Sequence, residues 1–172
     1  MKELSIAIPY AGWSEALFPD LNDSVKAFEF VKENGIEAID FSLDLHLSSK
    51  QITKSDKGDF FTKSVEELCE YYAPVKDALE KTGVKLCQAH APFPLYRRTD
   101  AEYNEYIIEM LEKCLAICHY LSIPAIVMHP ISYADKTVER NANFWIYRRL
   151  IPTAKKYGVK ICLENLFLYM AN

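Results

Sequence analysis

Apolar residues gather in five short, nearly unbroken runs, at about 4–9, 38–43, 85–90, 125–129 and 160–164; between the runs they recur at three- and four-residue steps. Strands buried on both faces read as continuous apolar runs, whereas three- and four-residue steps line one face of a helix. Four segments share one grammar: NGIEAIDFS (34–42), TGVKLCQAH (82–90), LSIPAIVMH (121–129) and YGVKICLEN (157–165). Each predicts a helix end followed by a strand. In three of them Gly35, Gly83 or Gly158 stands where a left-handed C-cap glycine belongs. Helix starts are also legible. Thr99 and Glu102 form a predicted capping box ahead of Ile107, Leu111, Cys114, Cys118 and Leu121. Ser64 and Glu67 form another, ahead of Leu68, Tyr72, Val75 and Leu79, with Pro74 expected to kink or interrupt the helix. Asn22, Asp23 and Ser24 crowd the start of the first helix; Phe144, Tyr147, Ile151 and Ala154 mark the predicted face of the fourth, which Pro152 should bend.

The order is therefore β-α-β-α-β-α-β-α-β, one domain over residues 1–172 with no linker. Such alternation predicts an α/β fold with a parallel sheet and right-handed crossovers. Two architectures fit, an open doubly wound layer or a segment of a (β/α)8 barrel. The first would bring a glycine-rich phosphate loop after strand one, but the chain has PYAGWSE there and no GxGxxG.

Composition narrows the class. Half of the 172 residues are apolar, enough for one substantial core, and 20 basic against 24 acidic residues leave a net charge of −4 without any block of like charge. A nucleic-acid partner is not favoured. Five cysteines, Cys69, Cys87, Cys114, Cys118 and Cys162, form no CxxC pair and mostly lie in apolar runs, as reduced core residues of a cytosolic protein do. No segment reads as a signal peptide or membrane span, so a soluble cytoplasmic protein is expected.

In a parallel α/β fold, active sites are built where the strands end. Strand three ends QAHAPF, strand four VMHP and strand five CLENL, so His90, His129 and Glu164 occupy equivalent ends of consecutive repeats. Adjacent strands lie ~4.8 Å apart, which lets three such side chains converge. Two imidazoles and a carboxylate are standard ligands of a divalent transition metal. Asp40 and Asp44, closing strand two, are candidates to face the same site, and Asn165 is the polar neighbour of Glu164. His46 opens the polar segment HLSSKQITKSDKGDFFTKS, long enough for a mobile lid. His119 falls off the apolar stripe and is expected in solvent, while Cys114 and Cys118 lie on it and pack in the core. Arg97, Arg98, Arg148 and Arg149 suit solvation or ion pairing better than a phosphate site.

The succession GIEAIDFSL, GVKLCQAHAPF, IVMHP and YGVKICLENL resembles the xylose-isomerase-like TIM-barrel superfamily along the whole chain. The resemblance implies a parallel TIM-barrel type of fold, incomplete, since a full barrel has eight strands and about 250 residues and this chain supplies five strands. It implies a metal-dependent isomerase or epimerase of a sugar or sugar phosphate, with Glu164 as ligand of Mn²⁺, Mg²⁺, Co²⁺ or Zn²⁺ and as base, and His90 against the substrate; by their place near the strand ends, Asp40, His46 and Asn165 are expected as weaker substrate contacts. The family's remaining isomerase ligands come from strands six to eight. The nuclease branch implies a zinc-dependent apurinic-site endonuclease with His90, His129 and Glu164 as ligands. A non-catalytic barrel fragment or assembly module is the third expectation, whether the chain is a truncated piece or a naturally short protein. Five strands left open would expose the edges of strands one and five, so we expect an oligomer that covers them, or poor solution behaviour.

Overall fold

The computed structural model describes residues 7–9, 20–36 and 38–164. Residues 4–6 of the first apolar run and the candidate Asn165 lie outside the described residues. Five strands, β1 (Ala7–Pro9), β2 (Ala38–Ser42), β3 (Lys85–His90), β4 (Ala125–Met128) and β5 (Lys160–Leu163), pair in parallel in the order β1-β2-β3-β4-β5. Every strand lies beside its neighbour in sequence and the order nowhere reverses. A doubly wound sheet reverses at a switch point and a barrel does not, so the topology selects the barrel type of α/β fold.

Six helices accompany the described strands: α1 (Ser24–Glu33), α2 (Ser49–Thr53), α3 (Val65–Tyr71), α4 (Ala73–Thr82), α5 (Ala101–Tyr120) and α6 (Lys136–Tyr157). Gly83 and Gly158 cap α4 and α6 with φ of 73° and 70°, the left-handed geometry that glycine adopts without a Cβ penalty. The repeat without a glycine solves the same turn with Ser122 at φ 59°, and Leu121, Ser122 and Ile123 return hydrogen bonds to the last carbonyls of α5. The Ser64–Glu67 capping box is present at α3, and the helical run breaks at Tyr72 so that Pro74 falls in the first turn of α4, where its missing N–H costs nothing.

Two helices depart from expectation. The cap of α5 is Asp100, whose side chain accepts from Tyr103 N, not Thr99; the helix begins one residue later than the Thr99–Glu102 box requires. The buried face of α6 is Ala142, Ile146, Leu150 and Ala154, while Phe144 is 70% exposed and Ile151 46%. Alanines at both ends of that face allow close approach, which a hydrophobicity pattern undervalues against a phenylalanine. Helix α6 runs through Pro152 unbroken; both Pro152 and Arg148, whose carbonyl loses its partner, lie on the exposed side.

The core forms between the sheet and its helices, with Ile39, Phe41, Ala89, Ile126 and Met128 packed against Phe28, Val31, Leu68, Val75, Ile107, Leu111, Cys114 and Ile146. Helix α5 is buried around most of its girth because α3 and α6 flank it. Strand β5 departs from this pattern. Cys162 is exposed and Leu163 is 55% exposed, since no described strand pairs beyond β5. Cys162 is thus not the core cysteine expected of it.

Candidate functional site

His90, His129 and Glu164 meet because of strand register. His90 pairs with Val127, and Met128 pairs with Leu163, so His129 and Glu164 step off their strands together, with Glu164 N donating to Met128 O at 3.2 Å. Residues two apart share a strand face, which places His129 on the face of Val127 and hence of His90. The result is a cluster in which one ring nitrogen from each of His90 and His129 and a Glu164 oxygen lie within 4.8 Å of one another. Glu164 Oε2 stands 3.3 Å from His90 Nε2 and 3.8 Å from His129 Nδ1.

The face presented by His90 depends on an irregularity. Ile39 pairs with Leu86, but Asp40 pairs with Gln88, leaving Cys87 as an extra residue in β3. In regular register Asp40 would sit opposite Cys87, and His90 would turn to the other face of the sheet, because a one-residue slip exchanges the two faces. The bulge instead aligns Asp40, Ser42, Gln88 and His90. Asp40 Oδ1 lies 2.9 Å from His90 Nδ1, and Gln88 Nε2 donates to Asp40 Oδ2 at 2.9 Å. Gln88 was missed in the sequence, although its place two residues before His90 on a strand was a usable signal.

The two imidazoles are electrostatically unlike. The hydrogen bond to Asp40, aided by that carboxylate's charge and by Glu164, raises the pKa of His90 above its ordinary value. Burial lowers that of His129, against the opposing pull of Glu164. His129 is 8% exposed, and its Nδ1 is buried without a hydrogen-bond partner among the described residues. An orphaned ring nitrogen aimed at a carboxylate and a second imidazole fits a cation. Ligands about 2.1 Å from one ion stand about 3–4 Å from each other, close to the two separations observed here. Asp44 is half-buried beside these rings. Burial is the main cause that raises its pKa, and its Oδ1 also has no partner among the described residues.

His46 is not brought to this cluster. Its ring stacks on Phe60 with centroids 3.6 Å apart, meets Phe61, Tyr71 and Tyr72 edge-on, and shares a 2.6 Å hydrogen bond between Nε2 and Tyr72 Oη. The segment expected as a lid is tied down. It contains α2, buries Leu47, Ile52 and Phe61, and its carbonyls at Asp56 and Phe61 accept from Tyr103 Oη and Lys113 Nζ. His119 is exposed, with Nδ1 3.0 Å from the Tyr157 carbonyl, and Cys114 and Cys118 are buried in the core. Arg149 makes a double hydrogen bond to Glu105.

Two asparagines hold the loops that leave β3 and β4. Asn104 of α5 gives to Arg97 O and accepts from Arg97 N, and Asn143 of α6 does the same for Ile131. Between these loops lies a cavity of about 340 Å³ bordered by Phe93, Tyr96, His129, Ile131 and Tyr133. A larger cavity, about 540 Å³, opens at the opposite end of the sheet near Lys85, Tyr120 and Pro124; it contains none of the three donors and is remote from this chemistry.

No curated protein sequence matches the chain. Solved structures do. The 3-keto-D-glucoside 4-epimerase of E. coli superposes with a TM-score of 0.66 at 17% identity, over 95% of this chain and 57% of that one. A D-psicose 3-epimerase crystallised with D-fructose gives 0.64 at 18%, over 98% and 55%. The IolI protein, solved with a zinc atom bound, gives 0.58 at 18%, over 93% and 50%. At such identities the likeness is one of fold, and the chain spans about half the length of these structures. Residues 28–171 match the family described as xylose isomerase-like TIM barrel, most of the chain, and the protein therefore belongs to that family.

Proposed function

We propose that the chain carries part of a metal-dependent site that isomerises or epimerises a small sugar or sugar phosphate by removing a proton next to a carbonyl. The observation that carries this reading is the convergence of His90 Nε2, His129 Nδ1 and a Glu164 oxygen at the C-terminal ends of three consecutive parallel strands. Epimerases acting on a 3-keto-glucoside and on D-psicose share the fold, which supports the sugar class. A bound divalent ion, Mn²⁺, Mg²⁺, Co²⁺ or Zn²⁺, would supply Lewis-acid polarisation of the sugar's oxygens. His90, His129 and Glu164 would hold it. Glu164, half-exposed at the open side, is the candidate base, since a carboxylate beside the reacting carbon can take its proton. Phe93 packs edge-on against the His129 ring and, with Tyr96 and Tyr133, lines a cavity that offers aromatic surface to the C–H face of a sugar ring.

Calorimetric titration with Mn²⁺, Co²⁺ and Zn²⁺, followed by NMR of deuterium uptake from D2O next to the carbonyl of D-fructose and D-psicose, tests the proposal. Binding and uptake that both vanish in Glu164→Gln would sustain it. Failure of the wild type to bind any of the three metals would sink it. A second reading, the zinc-dependent apurinic-site nuclease, is favoured by the donor set itself, two imidazoles and a glutamate at these strand ends. Incubation of an abasic duplex with the protein and Zn²⁺ decides that one, and an uncut duplex removes it. We extend the proposal to assembly. Phe144, Ile151 and Leu163 are exposed apolar residues near or on the last described helix and strand, which supports a second copy covering them. A monomer in sedimentation at micromolar concentration would refute that extension.

A further inference from the structure

The carboxylate of Asp40 has no counterpart in the donor cluster, yet both of its oxygens are engaged at 2.9 Å, one by Gln88 Nε2 and the other by His90 Nδ1. It reaches both only because the extra Cys87 in β3 brings Gln88 and His90 onto its face. An ionised carboxylate accepts and cannot donate, so the hydrogen between Asp40 and the ring belongs to Nδ1. The opposite ring nitrogen faces a second carboxylate, Glu164, and the two compete for the single hydrogen of a neutral imidazole. The competition is unequal. The Asp40 contact is 2.9 Å with the carboxylate side chain 16% exposed, whereas the Glu164 contact is 3.3 Å with the side chain 50% exposed. A shorter, less solvated charge-assisted bond is the stronger one. Gln88 adds to it by holding Asp40 in place.

We infer that Asp40 is a positioning residue, which with Gln88 locks His90 as the Nδ1–H tautomer and so presents the Nε2 lone pair to a cation shared with His129 and Glu164. This role rests on the metal reading of the cluster and differs from the substrate contact expected of Asp40. It gives the β3 bulge a purpose, since a regular strand would offer Asp40 no imidazole. Carboxylates behind metal-bound histidines act in this way by fixing ring orientation and raising ligand basicity.

Two measurements on the full chain test it. Two-bond ¹H–¹⁵N correlation on protein labelled at histidine, recorded near pH ~9 so that the rings are neutral, reports the His90 tautomer directly; His90→Gln identifies its signals. Co²⁺ titration followed by visible absorption reports affinity. The expected wild-type ring carries its hydrogen on Nδ1. Asp40→Asn should mix the tautomers and weaken Co²⁺ binding by about 10–100-fold, with Asp40→Glu recovering part of the loss and Gln88→Ala losing only a few-fold. Unchanged melting curves would separate this from misfolding. An Nε2–H ring in the wild type, or Asp40→Asn with unchanged Co²⁺ affinity, overturns the inference. A wild type that binds no Co²⁺ overturns the metal reading instead, and the tautomer spectrum then still decides whether Asp40 holds the ring.

Discussion

His90 closes β3 and His46 follows the end of β2, at the same end of the sheet, and their surroundings make them opposite kinds of residue. Four aromatic rings enclose His46, and burial, helped by the charge of Lys63, lowers its pKa to about 4. Two carboxylates flank His90 and raise its pKa. One imidazole is kept neutral as a packing element, hydrogen-bonded to Tyr72. The other is kept responsive to charge. An imidazole's role thus follows from the partners that its environment supplies, since desolvation and opposite charge push its protonation in contrary directions.

The comparison can be broken most strongly on the aromatic side. Phe61 is fully buried, edge-on to Phe60 and His46, so Phe61→Ala should cost about 3–5 kcal/mol, read by urea denaturation. Acid comes next. The unfolded His46 ring binds its proton near its ordinary value of 6.5 and the folded ring only near 4, so the unfolded chain binds more protons in between. Stability should therefore fall as pH drops from 6.5 towards 4, by up to about 3 kcal/mol from this ring, and His46→Phe should flatten that part of the profile. His90 acts in the other direction. Its raised pKa contributes stability that is present below the unfolded value and lost as pH rises through the folded one. Denaturation curves at several pH values for His46→Phe and His90→Gln should accordingly bend oppositely. On the carboxylate side, Glu164→Gln should weaken Co²⁺ binding at least about 100-fold, roughly 2.7 kcal/mol, while leaving the urea midpoint almost unmoved. Tyr72→Phe removes the hydroxyl that meets His46 Nε2 and should cost about 1 kcal/mol in the same denaturation assay. The smallest effect is expected away from both rings and from the proposed contact between copies: Glu29→Gln, on the exposed side of α1, should change stability by less than about 0.5 kcal/mol.

The reading of α6 shows where pattern runs out. The large side chains of Phe144, Tyr147 and Ile151 marked one face with Ala154, yet the face that packs joins Ala154 to Ala142, Ile146 and Leu150. Which of two plausible faces is buried depends on how closely the neighbouring elements approach, and local sequence does not contain that distance. The segment after β2 fails for a related reason. Its polar surface suggested a lid, but Leu47, Ile52 and Phe61 at irregular spacing bury themselves, and Tyr103, Tyr106 and Lys113 from α5 anchor its carbonyls. Its partners are about fifty residues away in the chain.

Local chemistry was enough to determine the alternation of strands and helices, the glycine caps at Gly83 and Gly158, the Ser64 cap, and the placing of His90, His129 and Glu164 at equivalent strand ends. These depend on backbone propensity and on periodicity, which act over a few residues. Tertiary structure decided that the strands pair in consecutive order, that His46 is enclosed, and that the extra Cys87 turns His90 towards Asp40. The last depends on register between two strands more than forty residues apart in sequence, and a shift of one residue there exchanges the faces of the sheet and separates Asp40 from His90.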